Sequence, residues 1–168
     1  LRMLAHLRAR VPEHGEVAGT YARLLVTRSR FDDARAVARG SGPLAGLRAE
    51  AAGLAAFYLG ELEDADRAFA VLETSADDDA AIGRALSLRG MVAQQRGQLA
   101  LASERYRDAA RRRGELGEVH AAAVAELNLG TVLAERGRAS EALPRLAAAS
   151  RVFADLGVTT EQIAADLN

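Results

Sequence analysis

The chain has 168 residues and a formal net charge of −1, and half of it is built from 38 Ala, 23 Leu and 22 Arg, with no Lys, Cys or Trp. The missing Cys excludes disulfide scaffolds, Cys-ligated zinc and thiol catalysis, and the balanced charge excludes a globally basic nucleic-acid binder. At 27% charged and 49% hydrophobic residues the chain is not a disordered tail, and no uncharged apolar run approaches the ~20 residues of a membrane span.

Helical patterning runs from end to end. Helices are expected over about 1–10, 15–28, 31–40, 44–59, 61–74, 78–96, 98–113, 116–136, 139–156 and 160–168. In chain order, Pro43 after Ser41-Gly42 suits a first helical turn. Asp77, Asp78 and Asp79 place acids at a helix start, and Arg111, Arg112 and Arg113 place bases at a helix end before Gly114, both favoured by the helix dipole. Pro144 falls near a helix start, where few backbone donors are lost. The stretch from Val158 to Asn168 reads as a further helix that either caps the array or is a cut repeat. No sustained alternation of β-branched residues and no Asn-Gly or Asp-Gly turn occurs, so the fold class is all-α. The start at Leu1 reads as an excised or processed piece of a longer protein. Ala is a strong helix former that buries little area, so the core is expected to be thin, with helices in close approach.

One spacing recurs. A small residue is followed by Gly seven positions later, Ala five after that and a bulky residue four further on. The copies are Gly53-Gly60-Ala65-Phe69, Gly90-Gly97-Ala102-Tyr106 and Gly130-Gly137-Ala142-Leu146, with a weaker one at Ala22-Ser29-Ala34-Ala38. The physical reading is a helical hairpin. The first Gly sits inside one helix and lets the next approach, the second caps that helix in the left-handed conformation, and the Ala and bulky residue form the buried face of the return helix. A Gly inside a helix costs roughly 1 kcal/mol against Ala, so three equally placed copies demand a packing reason.

These offsets resemble the tetratricopeptide repeat, whose signature joins Trp-x2-Leu-Gly-x2-Tyr to Ala-x3-Phe and a closing Pro. The nearest copy runs Glu126-Leu127-Asn128-Leu129-Gly130 and then Ala142-Leu143-Pro144-Arg145-Leu146. The Trp position holds Ala49, Leu86 or Glu126, the Tyr position Ala56, Ala93 or Leu133, and the Pro position Asp77, Gly114 or Ala154. The pattern is similar to the long, degenerate repeats of bacterial regulators. The resemblance implies a right-handed α-solenoid of about four hairpins, over 15–40, 44–74, 78–113 and 116–156, plus partial terminal helices. It also implies a concave groove lined by first helices. Carried over by position, groove candidates are Arg23 and Thr27 in the first hairpin, then Glu50, Leu54, Phe57 and Tyr58 in the second. The third offers Arg84, Ser87, Met91, Gln94 and Gln95, and the fourth Leu127, Asn128, Thr131 and Glu135. Phe57 reads more readily as inter-repeat core than as groove, and Gln94 and Gln95 read equally as plain solvated residues. The positions of a carboxylate clamp hold Gly19, Arg23, Ala51, Arg84 and Leu88, so capture of a free carboxyl terminus is not expected.

Other chemistry finds little support. His6, His14 and His120 lack metal-site spacing. Gly40-Ser41-Gly42 precedes no P-loop Lys, and no Gly-x-Ser-x-Gly elbow occurs. The Asp triplet suits a helix cap better than a cation loop. Arg105, Arg107 and Arg111 to Arg113 read as a solvated, dipole-complementing face, with an acidic partner or nucleic acid as the alternatives. The expectation is therefore a cytoplasmic, non-enzymatic interaction module without metal or cofactor, recruiting a protein or peptide within a bacterial regulator or pairing as a homodimer. Neither nucleic acid nor membrane is an expected partner. The alternative is a ligand-sensing repeat domain with a closed apolar pocket around Leu54, Met91 and Leu127, controlling an output domain.

Overall fold

The computed structural model describes residues 15–38, 46–76 and 78–159. Among these, every regular element is an α-helix: α1 Gly15–Val26, α2 Phe31–Ala38, α3 Gly46–Tyr58, α4 Leu62–Thr74, α5 Asp79–Gln95, α6 Leu99–Glu115, α7 Val119–Glu135 and α8 Ala139–Asp155. The fold is all-α, built from consecutive helix pairs. The expected helices over 1–10 and 160–168, the Ser41-Gly42-Pro43 start, Asp77, His6 and His14 lie outside the described residues. No described helix is long and apolar enough to cross a membrane.

Each pair turns the same way. In three of them a three-residue link carries a Gly with positive φ: Gly60 at +79°, Gly97 at +72° and Gly137 at +72°. Each Gly N–H donates to the carbonyl three residues back (Phe57, Gln94, Ala134), and the next N–H donates to the carbonyl five back (Ala56, Ala93, Leu133). This double bond closes the orphan carbonyls of the first helix. The residue after the Gly then opens the second helix, since the carbonyls of Glu61, Gln98 and Arg138 accept from the N–H groups of Ala65, Ala102 and Ala142. The link between α1 and α2 makes the same bonds with Ser29 at φ 55°, the one described non-Gly residue with positive φ. A Cβ in that conformation crowds the following carbonyl, a cost of roughly 1–2 kcal/mol, partly offset because Gly is freer when unfolded. Ser29→Gly should therefore raise stability by about 0.5–1 kcal/mol, and Gly97→Ala should lower it by about 1 kcal/mol. Thermal unfolding of the two variants checks both signs.

The interior glycines are where the helices meet. A Cβ on Gly53 would stand 2.3 Å from Cε1 of Phe69, one on Gly90 2.9 Å from Cε1 of Tyr106, and one on Gly130 2.6 Å from Cδ2 of Leu146. In each copy the absent side chain is the space that the bulky residue fills. In the weaker copy Ala22 and Ala38 are both fully buried.

The contacts divide the chain into two compact units, Leu1–Ala81 and Ile82–Asn168. In the first, α1 packs on α2 and α3, α2 on α3, and α3 on α4. Its core is almost wholly Ala, with Ala22, Ala34, Ala38, Ala51 and Ala55 fully enclosed around Leu25 and Val37. In the second, α6 packs on α7 and α7 on α8. Tyr106, Leu129, Val132 and Leu133 supply the bulk there, beside Ala93, Ala102 and Ala142. A further layer of Ala123, Ala149 and Phe153 joins α7 to α8. Two helix starts and ends refine the sequence reading. Asp78 is the cap of α5, its Oδ1 accepting from the Ala81 N–H at 2.6 Å. Gly114 does not end α6. The helix runs on to Glu115, and Gly117, at φ +73°, makes the cap, with its N–H on the Gly114 carbonyl and that of Glu118 on the Arg113 carbonyl. The motif Leu116-Gly117-Glu118 repeats Leu59-Gly60-Glu61, and that identity outweighs the mild helix preference against Gly114.

Candidate functional site

The second unit contains a half-open cleft of about 450 Å³ formed by α5, α6 and α7. Helical spacing builds it. On α5, Arg84, Ser87, Leu88, Met91 and Gln94 follow the three- and four-residue steps of one stripe, and on α7 His120, Val124, Asn128 and Thr131 do the same. Between them α6 contributes Tyr106 and Arg113, two turns apart on its inner face.

Tyr106 forms the floor and is only 2% exposed. Its hydroxyl donates to Gln94 Oε1 at 3.3 Å, and Gln94 Nε2 donates in turn to Glu135 Oε1 at 2.7 Å. The relay sets the orientation of the Gln94 amide. Burial, and secondarily the negative charge of Glu135, pushes the Tyr106 hydroxyl well above its ordinary value of 10.0. A raised pKa means that the unfolded chain ionises first. The stability that Tyr106 contributes is thus complete below pH 10.0 and is lost as pH rises above it. Wild type should lose stability more steeply than Tyr106→Phe between about pH 9 and about pH 11, read as the urea midpoint at each pH.

Arg84, Arg113 and His120 also line the cleft. The stem of Arg113 lies against α5 at Gly83, where a Cβ would stand 3.1 Å from Arg113 Cγ. Its side chain is 15% exposed, and its NH1 is 3.7 Å from Glu118 Oε2. His120 sits with its ring edge-on to Phe153 at 5.7 Å. The hydroxyls of Ser87 and Thr131 donate to the carbonyls of Gly83 and Leu127 on their own helices, the usual local bond of a mid-helix Ser or Thr. Among the described residues no three His, Asp or Glu side chains are arranged to hold a metal ion.

Six of the expected groove residues line this cleft: Arg84, Ser87, Met91, Gln94, Asn128 and Thr131. Glu135 stands at its edge through Gln94. Gln95 is exposed and does not line the cleft. Leu127 faces the other way, packing on the layer of Ala123, Ala149 and Phe153, because one residue before Asn128 is about 100° round the helix. Leu127 therefore closes no apolar pocket at Met91. The sequence reading missed Tyr106, Arg113, His120, Ala121 and Val124, and weighed Leu88 only as a carboxylate-clamp position. Tyr106 and Arg113 come from a second helix, which a groove of first helices leaves out. His120 and Val124 were legible, standing eight and four residues before Asn128 on its own face. Arg113 also departs from the solvated-face reading of its Arg run.

The candidates of the first unit serve a different arrangement. Glu50 is only 5% exposed and pairs with Arg23 at 3.5 Å. One residue pair away, buried Arg48 donates from Nε and NH2 to the Ala38 carbonyl at 3.2 and 2.8 Å, tying α3 to the end of α2. Tyr58 is exposed but stacks on Phe31, ring centres 4.9 Å apart, with half-buried Phe57 edge-on to it. Leu54 is half-buried, and the Thr27 hydroxyl donates to the Leu24 carbonyl. A smaller cleft of about 230 Å³, between Arg35, Ala52, Ala56, Asp64, Arg67, Ala68 and Val71, involves none of the expected residues. Comparison with protein-family models and with curated proteins returns no match to the chain.

Proposed function

We propose that the chain is a non-enzymatic, tetratricopeptide-like interaction module that seats a segment of a partner protein in the cleft of α5, α6 and α7. The carrying observation is the convergence of three helical stripes on one half-open space of about 450 Å³. Its lining mixes an adaptable apolar side chain, Met91, with amide and hydroxyl groups at Gln94, Asn128 and Thr131. That combination suits a peptide, whose backbone needs donors and acceptors and whose side chains need apolar contact. A recruitment or regulatory role inside a larger bacterial signalling or transcription protein, in the cytoplasm, follows from the same reading. The second reading, a small-molecule sensor, draws on the volume alone, which falls within the ~300–1,000 Å³ of ligand pockets. The open side and the mixture of polar and apolar lining favour the peptide.

Selection of a displayed random-peptide library on the chain tests the proposal. Enriched peptides should bind wild type and lose about tenfold in affinity on Met91→Ala or Asn128→Ala, the scale of one lost contact in a small interface. Peptides that bind both variants as tightly as wild type place the interaction elsewhere. Calorimetric titration with metabolites instead of peptides separates the sensor reading.

A further inference from the structure

We infer that Gln94 binds a backbone peptide group of an extended partner segment, and that Tyr106 and Glu135 are positioning residues that hold its carboxamide for that contact. The assignment rests on the peptide-binding reading above and specifies what the cleft recognises. Gln94 lines the cleft between two fixed partners. Its Oε1 accepts from the Tyr106 hydroxyl at 3.3 Å, and its Nε2 donates to Glu135 Oε1 at 2.7 Å. A carboxylate only accepts, so Glu135 decides which end of the amide faces it, and a flipped amide would set oxygen against oxygen. That orientation leaves one N–H and one carbonyl lone pair on Gln94. A residue of an extended chain presents its own N–H and C=O on one side, which is the complementary pair. The hydroxyls of Ser87 and Thr131 already donate to carbonyls of their own helices.

The repeat spacing supplies a second, independent reason. The positions equivalent to Tyr106 hold Phe69 and Leu146, which fill the same place over their own glycines with no hydroxyl. Those equivalent to Gln94 hold Phe57 and Ala134, and those equivalent to Glu135 hold Tyr58 and Gln95. Hairpin packing therefore requires none of the three polar groups. A hydroxyl on a side chain only 2% exposed is unfavourable unless it is bonded, and Phe does the same packing elsewhere in the chain. What the Tyr106 hydroxyl adds is a fixed Gln94. A Gln side chain has several rotatable bonds, and holding it before the partner arrives lowers the entropy lost on binding.

Peptides enriched by the library selection are remade with single backbone esters, which replace one N–H by oxygen and change no side chain. One ester position should weaken binding to wild type about tenfold, the scale of one lost hydrogen bond. Gln94→Leu should weaken the all-amide peptide about tenfold and respond little to that ester, closing a double-mutant cycle. Tyr106→Phe and Glu135→Gln leave Gln94 in place but unfixed, and each should cut the ester effect to about threefold or less. A merely structural role would lower the urea midpoint and leave the ester effect at its wild-type size, and that result overturns the positioning assignment. Glu135 is exposed, so Glu135→Gln keeps the test decisive even where Tyr106→Phe folds poorly. Peptides that depend on Met91 and Asn128 but show a flat ester scan, or ignore Gln94→Leu, overturn the Gln94 assignment and leave the cleft reading standing. Peptides insensitive to Met91, Asn128 and Gln94, or no enrichment at all, overturn both.

Discussion

Tyr106→Ala is expected to destabilise the unit that contains it by about 3–5 kcal/mol, the range for removing a buried aromatic side chain. The residue is 2% exposed and touches both sides of its hairpin. Its ring lies on Gly90 of α5, while the same core cluster brings in Leu129, Val132 and Leu133 of α7. Those neighbours cannot collapse into the gap without moving two helices, so most of the cavity persists. Tyr106→Phe should lose only about 1 kcal/mol, the net value of one hydrogen bond to Gln94. Urea unfolding distinguishes the two. Similar losses in both variants mean that the hydroxyl relay, and not ring packing, holds this hairpin. Because Tyr106 also floors the cleft, the alanine variant should lose peptide binding together with stability.

Gly53→Ala carries the second large effect, and its sign opposes helix propensity. Ala is favoured over Gly by roughly 1 kcal/mol inside a helix. Here the new Cβ would be 2.3 Å from a ring that is fully buried and has nowhere to go. The net expectation is a loss of about 1–3 kcal/mol, as for other overpacked cores. Gly90→Ala should cost less, since the approach to Tyr106 is 2.9 Å. Gly130→Ala should cost least, because Leu146 is half-buried and its flexible end can swing aside. Phe69→Leu, combined with Gly53→Ala, should recover part of the loss by vacating the contested space. Melting temperatures of the series give the order, and a stabilised Gly53→Ala would mean that α3 and α4 are not in the close contact described.

The sequence alone determined the helical class, the places where three hairpins turn, and the partners across them. These are short-range matters. A left-handed cap is a property of one Gly and the five residues before it, and the fixed offset between Gly53 and Phe69, or Gly90 and Tyr106, puts both at the same height in a hairpin whose turn has constant length. The Ala excess was legible for the same reason, since a thin core of closely packed helices needs small residues along the contact. The tertiary structure decided which side chains share a space. Arg113 stands 29 residues from Arg84 and on a helix of the other kind, yet both line one cleft, with the Arg113 stem laid against α5 at Gly83. Glu50 looked like a groove residue until its burial against Arg23 appeared. Leu127 and Asn128 are neighbours in sequence, yet one is core and the other cleft, separated by about 100° of helix. Helix periodicity records that two residues lie on one face. Which neighbour that face meets depends on how the other helices pack, and no local pattern carries that information.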